Sequence, residues 1–224
     1  MNRKIILTGL LSVSSILGYS QQTLSVNQVT GDHAVFSAKG EEKPMKYEDI
    51  SGSPYIDKNF HQAKVADNYE KISVRYNSYK DEVEFQKDNS PLVLPKESQF
   101  SRIEISSPQQ TLVLLETGDD LSGYFFELAG GKNALYKKVK TKFIDAAPAA
   151  NSYATGRPAL FKLQQPVYYI KTEKGWIKKP KSQKDITEAF SDKKDALNTF
   201  FKSNKIKFDK EEDLIKLVNF LNQN

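Results

Sequence analysis

Ile72-Ser73-Val74-Arg75-Tyr76-Asn77-Ser78-Tyr79-Lys80-Asp81-Glu82-Val83-Glu84-Phe85 is the stretch on which the fold class turns. Apolar and polar residues alternate on both sides of a polar centre, the period-2 signature of strands with one buried face. A four-residue loop Asn77–Lys80 sets Tyr76 against Asp81, Arg75 against Glu82, Val74 against Val83 and Ile72 against Phe85. One face is then apolar. The other pairs Arg75 with Glu82 and turns Glu84 to solvent. The two strands agree on one register, which is stronger than either pattern alone.

Working outward, the same period recurs. Thr23–Thr30 and Ala34–Ala38 read as short strands, followed by a polar stretch and a Gly52-Ser53-Pro54 turn. Leu92–Leu94, Arg102–Ile105 and Thr111–Glu116 read as further strands. Tyr124–Ala129 and Ala134–Ile144 form a hairpin around Gly130-Gly131-Lys132-Asn133. Phe161–Lys171 and Trp176–Lys179 form another around Thr172–Gly175, where Gly175 suits a positive φ. At Ser182 the period changes to 3.6. Ser182 with Asp185 predicts a capping box, Ser191 a second cap, and Asp209 with Glu212 a third. The stripes Leu197, Phe200, Phe201 and Leu214, Leu217, Val218, Leu221 need a cover, and a sheet face supplies one. The expected class is α+β: an antiparallel β-meander over 21–181, as a curved sheet or partial barrel, with a C-terminal helical segment, 182–224, packed on it.

Residues 1–20 have the parts of a secretory signal: Arg3 and Lys4, then apolar Ile5–Leu17, then Gly18-Tyr19-Ser20 with small residues at −3 and −1. The apolar run is shorter than the ~20 residues of a spanning helix. Cleavage near Ser20 predicts an exported chain: periplasmic, outer-membrane-associated or secreted. No later stretch predicts a transmembrane helix.

Composition narrows the chemistry. With 13 Phe, 11 Tyr and an aromatic fraction of 11%, disorder is excluded. Zero Cys removes disulfides, thiolate metal sites and a cysteine nucleophile. His33 and His61 have no short-range ligand partner, so no metal and no cofactor are expected. There is no nucleophile elbow. Gly130-Gly131-Lys132 lacks the remaining P-loop residues. Asp209, Glu211 and Asp213 mimic a calcium loop, but Leu214 fills the glycine position. Asp119-Asp120 reads as a solvated turn rather than a hydrolytic carboxylate pair.

Charge is uneven. Residues 131–182 carry 12 basic and 2 acidic side chains, whereas residues 21–130 carry 11 basic and 18 acidic. The basic segment either complements the acidic half within one fold or meets an anionic partner. Only Arg3, Arg75, Arg102 and Arg157 among the 33 basic residues are arginine. That argues against nucleic-acid recognition, which favours the guanidinium fork. One constellation suits an anion: Lys138, Lys140 and Lys142 alternate, as on one strand face. Pairing Lys171 with Trp176 sets Tyr169 opposite Lys178, giving an aromatic platform of Tyr169 and Trp176 rimmed by cations. The alternative is a solvated lysine face with aromatics turned inward.

Gly52-Ser53-Pro54-Tyr55-Ile56, the stretch Val74–Phe85, and the tail with Lys184-Asp185-Ile186, Phe190-Ser191-Asp192-Lys193-Lys194, Asn204-Lys205 and Glu211-Glu212-Asp213-Leu214 are similar to a family of exported Gram-negative bacterial proteins of uncharacterised function. The resemblance spans most of the mature chain. It implies export and carries no activity, cofactor or catalytic residue. The functional expectation is a non-enzymatic extracytoplasmic binding or interaction protein for an anionic envelope component or protein partner. A hydrolase with carboxylates converging from distant strands, and a structural component of an envelope assembly, are the alternatives.

Overall fold

Strands β2 (Ile72–Asn77) and β3 (Glu82–Lys87) form the expected hairpin, in a computed structural model that describes residues 46, 47, 50–88, 90–149, 151, 153 and 155–223. The leader, the stretches 23–30 and 34–38, and His33 lie outside the described residues. The hairpin register differs from expectation: Arg75 faces Glu84, Val74 faces Phe85 and Asn77 faces Glu82. The loop is therefore Ser78–Asp81. The Asn77 carboxamide oxygen accepts from the N–H groups of Tyr79 and Lys80 (3.2 and 3.0 Å), keeping Asn77 at the end of the ladder. Asp81 takes the left-handed turn conformation, φ 59°, which Asp tolerates better than most residues. The pairing slips by two residues, so no side chain changes face. Val74, Tyr76, Val83 and Phe85 all enter the core.

The other strands are β1 (His61–Lys64), β4 (Ser90–Val93), β5 (Arg102–Ile105), β6 (Gln110–Leu115), β7 (Gly123–Ala129), β8 (Ala134–Lys138), β9 (Thr141–Ile144), β10 (Leu160–Leu163), β11 (Val167–Thr172) and β12 (Gly175–Lys178). Of the twelve strands among the described residues, ten form one antiparallel sheet, in the order β12-β11-β8-β7-β6-β5-β1-β2-β3-β4, and β9 with β10 form a separate ribbon. The sheet does not close. It curls nonetheless: Tyr76 on β2 meets the rings of Tyr124 and Phe126 on β7 at 6.4 and 5.7 Å, although three strands separate β2 from β7. A flat sheet with strands about 4.8 Å apart would hold them well beyond contact. The curl encloses Val74, Phe85, Phe100, Ile103, Leu112 and Phe126.

The third hairpin pairs as expected, Tyr169 with Lys178 and Lys171 with Trp176, with Gly175 at φ 129°. Its first strand is shorter than expected. Leu160–Leu163 leaves it to pair with β9.

Helices α1 (Gln183–Ala189), α2 (Lys194–Ser203) and α3 (Glu211–Gln223) follow. The Ser182–Asp185 capping box is present in both directions. Ser191 instead opens a 3-10 turn, and α2 starts at Lys194 without a side-chain cap. Asp209 lies in the turn before α3, where Asp213 reaches back to accept from the Lys207 N–H at 3.0 Å. The helical stripes meet Leu135, Tyr168 and Ile170 on one sheet face, so the helical segment packs on the sheet. Asn222 fastens it there. Its side chain accepts from the Asn133 N–H (2.7 Å) and donates to the carbonyls of Asn133 (2.9 Å) and Gly130 (3.2 Å). A Cβ on Gly131 would lie 2.7 Å from the Asn222 amide, which is why a glycine stands in that turn.

Candidate functional site

The six lysines and aromatics singled out in the sequence fall into three places. The first is a buried clasp. β8 ends at Lys138, and after Val139 and Lys140 the chain restarts as β9 on the separate ribbon. Lys138 is 2% exposed. Its ammonium donates to Asp81 Oδ1 at 2.7 Å and to the Tyr124 carbonyl at 2.9 Å, and lies 4.9 Å from the Phe125 ring centre. Asp81 also accepts from the Tyr76 hydroxyl (2.7 Å), from Lys96 (3.1 Å) and from the Tyr124 N–H (3.3 Å). Burial pulls the Lys138 pKa down and Asp81 pushes it back up, with burial the larger effect. Lys138 thus closes the curl by joining β8 to the β2–β3 turn, and it does not share an open face with Lys140 and Lys142.

The second place is the aromatic platform. Tyr136, Tyr169 and Trp176 do meet, with Trp176 5.8 Å from Tyr136 and 6.2 Å from Tyr169. Tyr169 is fully buried, and its hydroxyl donates to Asp119 Oδ2 at 2.5 Å. Lys178 stands 3.6 Å from the same carboxylate. Burial would raise the Asp119 pKa. The Tyr169 and Thr117 hydroxyls, the Leu121 N–H and Lys178 outweigh it and hold the carboxyl well below the usual range. Asp119 is therefore an anchored turn acid, not a solvated one. The platform presents the half-buried Trp176, with the exposed Lys171 ammonium 5.7 Å from its ring.

The third place is the β9–β10 ribbon. Lys142 pairs directly with Lys162, and both are exposed. One step further, the Gln164 N–H donates to the Lys140 carbonyl at 2.8 Å, continuing the ladder. Two-residue alternation then sets Lys140, Lys142 and Lys162 on one face. Among the described residues none of the three ammonium groups has an acidic partner. Like charges directly opposed on a ribbon are unfavourable, and no described residue neutralises this strip. The sequence pointed to Lys140 and Lys142 but missed Lys162, which lies in a different hairpin by sequence and joins them only through the pairing of β9 with β10.

Elsewhere the basic segment complements its neighbours: Lys138 pairs with Asp81 and Lys178 with Asp119 of the acidic half, and Lys137 pairs with Glu211 of α3 at 2.7 Å. The solvent-facing reading of Glu84 is likewise replaced. This side chain, 7% exposed, accepts from Arg75 (2.7 Å), Asn77 (3.0 Å) and the Tyr55 hydroxyl (3.1 Å). The Arg75 guanidinium sits 3.9 Å from the Tyr55 ring and 4.4 Å from the Phe60 ring.

A cleft of about 310 Å³ opens at the mouth of the curled sheet, between Val74, Tyr76, Ile105 and Phe126, with Asp57, His61 and Gln110 at its rim. His61 Nε2 lies 2.8 Å from Asp57 Oδ2. In the sequence His61 has no evident short-range partner, and the structure supplies one in Asp57, four positions earlier. A second groove of about 410 Å³ runs past Lys64, Asp67, Arg102 and Glu104. Its charges are already paired, Lys64 with Asp67 at 2.6 Å and Arg102 with Glu104 at 3.2 Å. Among the described residues no helix is long and apolar enough to cross a membrane.

No family model matches the chain, and neither a curated protein nor a solved structure matches it.

Proposed function

We propose that the chain is a non-enzymatic, exported binding protein that meets an anionic component of the cell envelope through the β9–β10 ribbon. The observation that carries this reading is the strip of Lys140, Lys142 and Lys162, which share one ribbon face and have no acidic partner among the described residues, whereas Lys137, Lys138 and Lys178 of the same segment are paired with acids. Three cations on one narrow face attract an anion without selecting its shape, as flexible ammonium groups do. Trp176 and Lys171 offer a second, smaller contact of mixed aromatic and cationic character. The hydrolase alternative draws less support, because Asp81, Glu84 and Asp119 are each committed to cations and hydroxyls.

The test is co-sedimentation of the purified chain with native envelope fractions at low and high salt. Retention should fall as salt rises, since exposed charges are screened over about 8–10 Å at moderate ionic strength. Lys142→Glu with Lys162→Glu should abolish it. Lys184→Glu with Lys202→Glu, which changes net charge equally, should leave most of it. Equal loss from both double variants would reduce the interaction to net charge, and salt-insensitive retention would overturn the electrostatic reading.

A further inference from the structure

The cleft at the mouth of the curled sheet lies apart from the lysine strip and differs in chemistry. Its floor is apolar: Val74, Ile105, and the rings of Tyr76 and Phe126 set edge to face at 5.7 Å. The Tyr76 hydroxyl is spent on Asp81 at 2.7 Å, so that ring offers the cleft no polar atom. Arg75 reaches the lining, but its guanidinium is committed to Glu84 and the Tyr55 hydroxyl. The polar capacity that remains is at the rim. Asp57 accepts from the Asn59 N–H at 2.9 Å and lies against His61; those two contacts hold its carboxyl below the usual range. An ionised carboxylate can only accept, so the hydrogen at His61 Nε2 belongs to the imidazole. In the neutral ring, Nδ1 is then a lone-pair acceptor, and among the described residues it has no partner. The Gln110 and Asn59 side-chain amides likewise have none.

We propose that this mouth binds a small neutral aromatic alcohol, of the phenol class, with its ring on Tyr76 and Phe126 and its hydroxyl donating to His61 Nδ1. The volume, about 310 Å³, is at the lower end for small-molecule sites and suits a single-ring ligand. The edge-to-face pair favours an aromatic body. The acceptor at Nδ1 selects a hydroxyl over an ether. The fixed negative charge of Asp57 disfavours a carboxylate. Mouths of β-barrels and half-barrels are recurrent ligand sites for the same geometric reason: the strands diverge there and the floor stays apolar.

The experiment titrates the full chain at pH 8 with 4-propylphenol, 4-propylanisole and 4-propylbenzoate, by calorimetry and ligand-observed NMR. The phenol should bind about tenfold more tightly than the anisole, the worth of one neutral hydrogen bond at the upper end of its range, and the benzoate should bind most weakly. His61→Phe should erase the phenol–anisole difference while leaving anisole binding in place. Gln110→Trp, an exposed rim position, should block all three while circular dichroism and melting temperature stay unchanged. Lys142→Glu should alter none of them, which separates this site from the envelope-binding strip. Absence of phenol binding, equal affinity for phenol and anisole, or preference for the benzoate would overturn the proposal.

Discussion

Lys138 and Lys142 are four residues apart and have opposite fates. Lys138 is enclosed, bonded to Asp81 at 2.7 Å, and holds the curl of the large sheet together. Lys142 is exposed and stands against Lys162, a second cation. The difference comes from the path of the chain, which leaves the large sheet after Lys138 and restarts at Thr141 as β9 on another ribbon. A buried charge must be neutralised locally or it destabilises the fold. An exposed one is tolerated at little cost because water solvates it. The first lysine is therefore explained by stability, and no described residue gives the second a comparable role.

The comparison breaks most severely at the clasp. Asp81→Asn leaves the Lys138 ammonium facing a neutral amide in an apolar site. It should cost about 3 kcal/mol or more, the range for removing one member of a buried pair, read as a shift in urea midpoint. Asp81→Asn with Lys138→Met should recover part of that loss, since the stranded charge goes with its partner. If the double variant is as unstable as the sum of the singles, the clasp is not a coupled pair. Gly123→Ala attacks the same place from the backbone. Gly123 has φ 137°, and a Cβ there would fall 1.8 Å from Asp81 Oδ2. A loss of about 2 kcal/mol follows from strained backbone and displaced carboxylate together.

Those two sites also show what the sequence could and could not reveal. Strands, helical stripes and the Ser182 cap were legible because each depends on residues within a few positions of one another. The faces of the β2–β3 hairpin were legible even though its register was off by two, because parity survives an even slip. The passage from β8 to β9 was not legible. Lys138 to Lys142 fits one alternating strand equally well, and the pattern does not show that β8 pairs with β11 while β9 pairs with β10. Glu84 was misread because the two-residue slip gives Arg75 to it rather than to Glu82. Asp119 and Lys162 were misread or missed because their partners Tyr169 and Lys142 come from distant segments, and pairing across 20 or more positions leaves no local pattern. The Asp57–His61 pair was missed although the two are four positions apart, and the cleft beside it exists only because the sheet curls.

Smaller effects sharpen the contrast between closed and open charge. Asn222→Ala removes four bonds to the β7–β8 turn and should cost about 1–2 kcal/mol, with the unsatisfied Asn133 N–H as the main term. Asp119→Asn should cost about 1 kcal/mol at neutral pH, and its effect should depend on pH. The folded carboxyl titrates below its ordinary value of 3.8. Its contribution is thus fully present above that value and is lost as pH falls through the folded pKa. The gap between wild type and Asp119→Asn should therefore hold steady above pH 4 and narrow below it. A gap that widens on acidification would contradict the assignment of Asp119 as an anchored acid.

The smallest change is the most informative about the open strip. Lys142→Glu converts the like-charged pair with Lys162 into an opposite-charged one across the ribbon. It should stabilise the chain by about 0.2–1 kcal/mol at low salt, and the gain should fade as salt screens the pair. The same substitution should weaken retention on envelope fractions. A residue whose replacement makes the fold more stable and the interaction weaker is one the fold does not require. Lys138→Glu supplies the opposite extreme: it would set two carboxylates together in the enclosed clasp and should prevent stable folding. If Lys142→Glu instead destabilises the chain, Lys142 has a structural partner after all, and the distinction between the two lysines fails where it began.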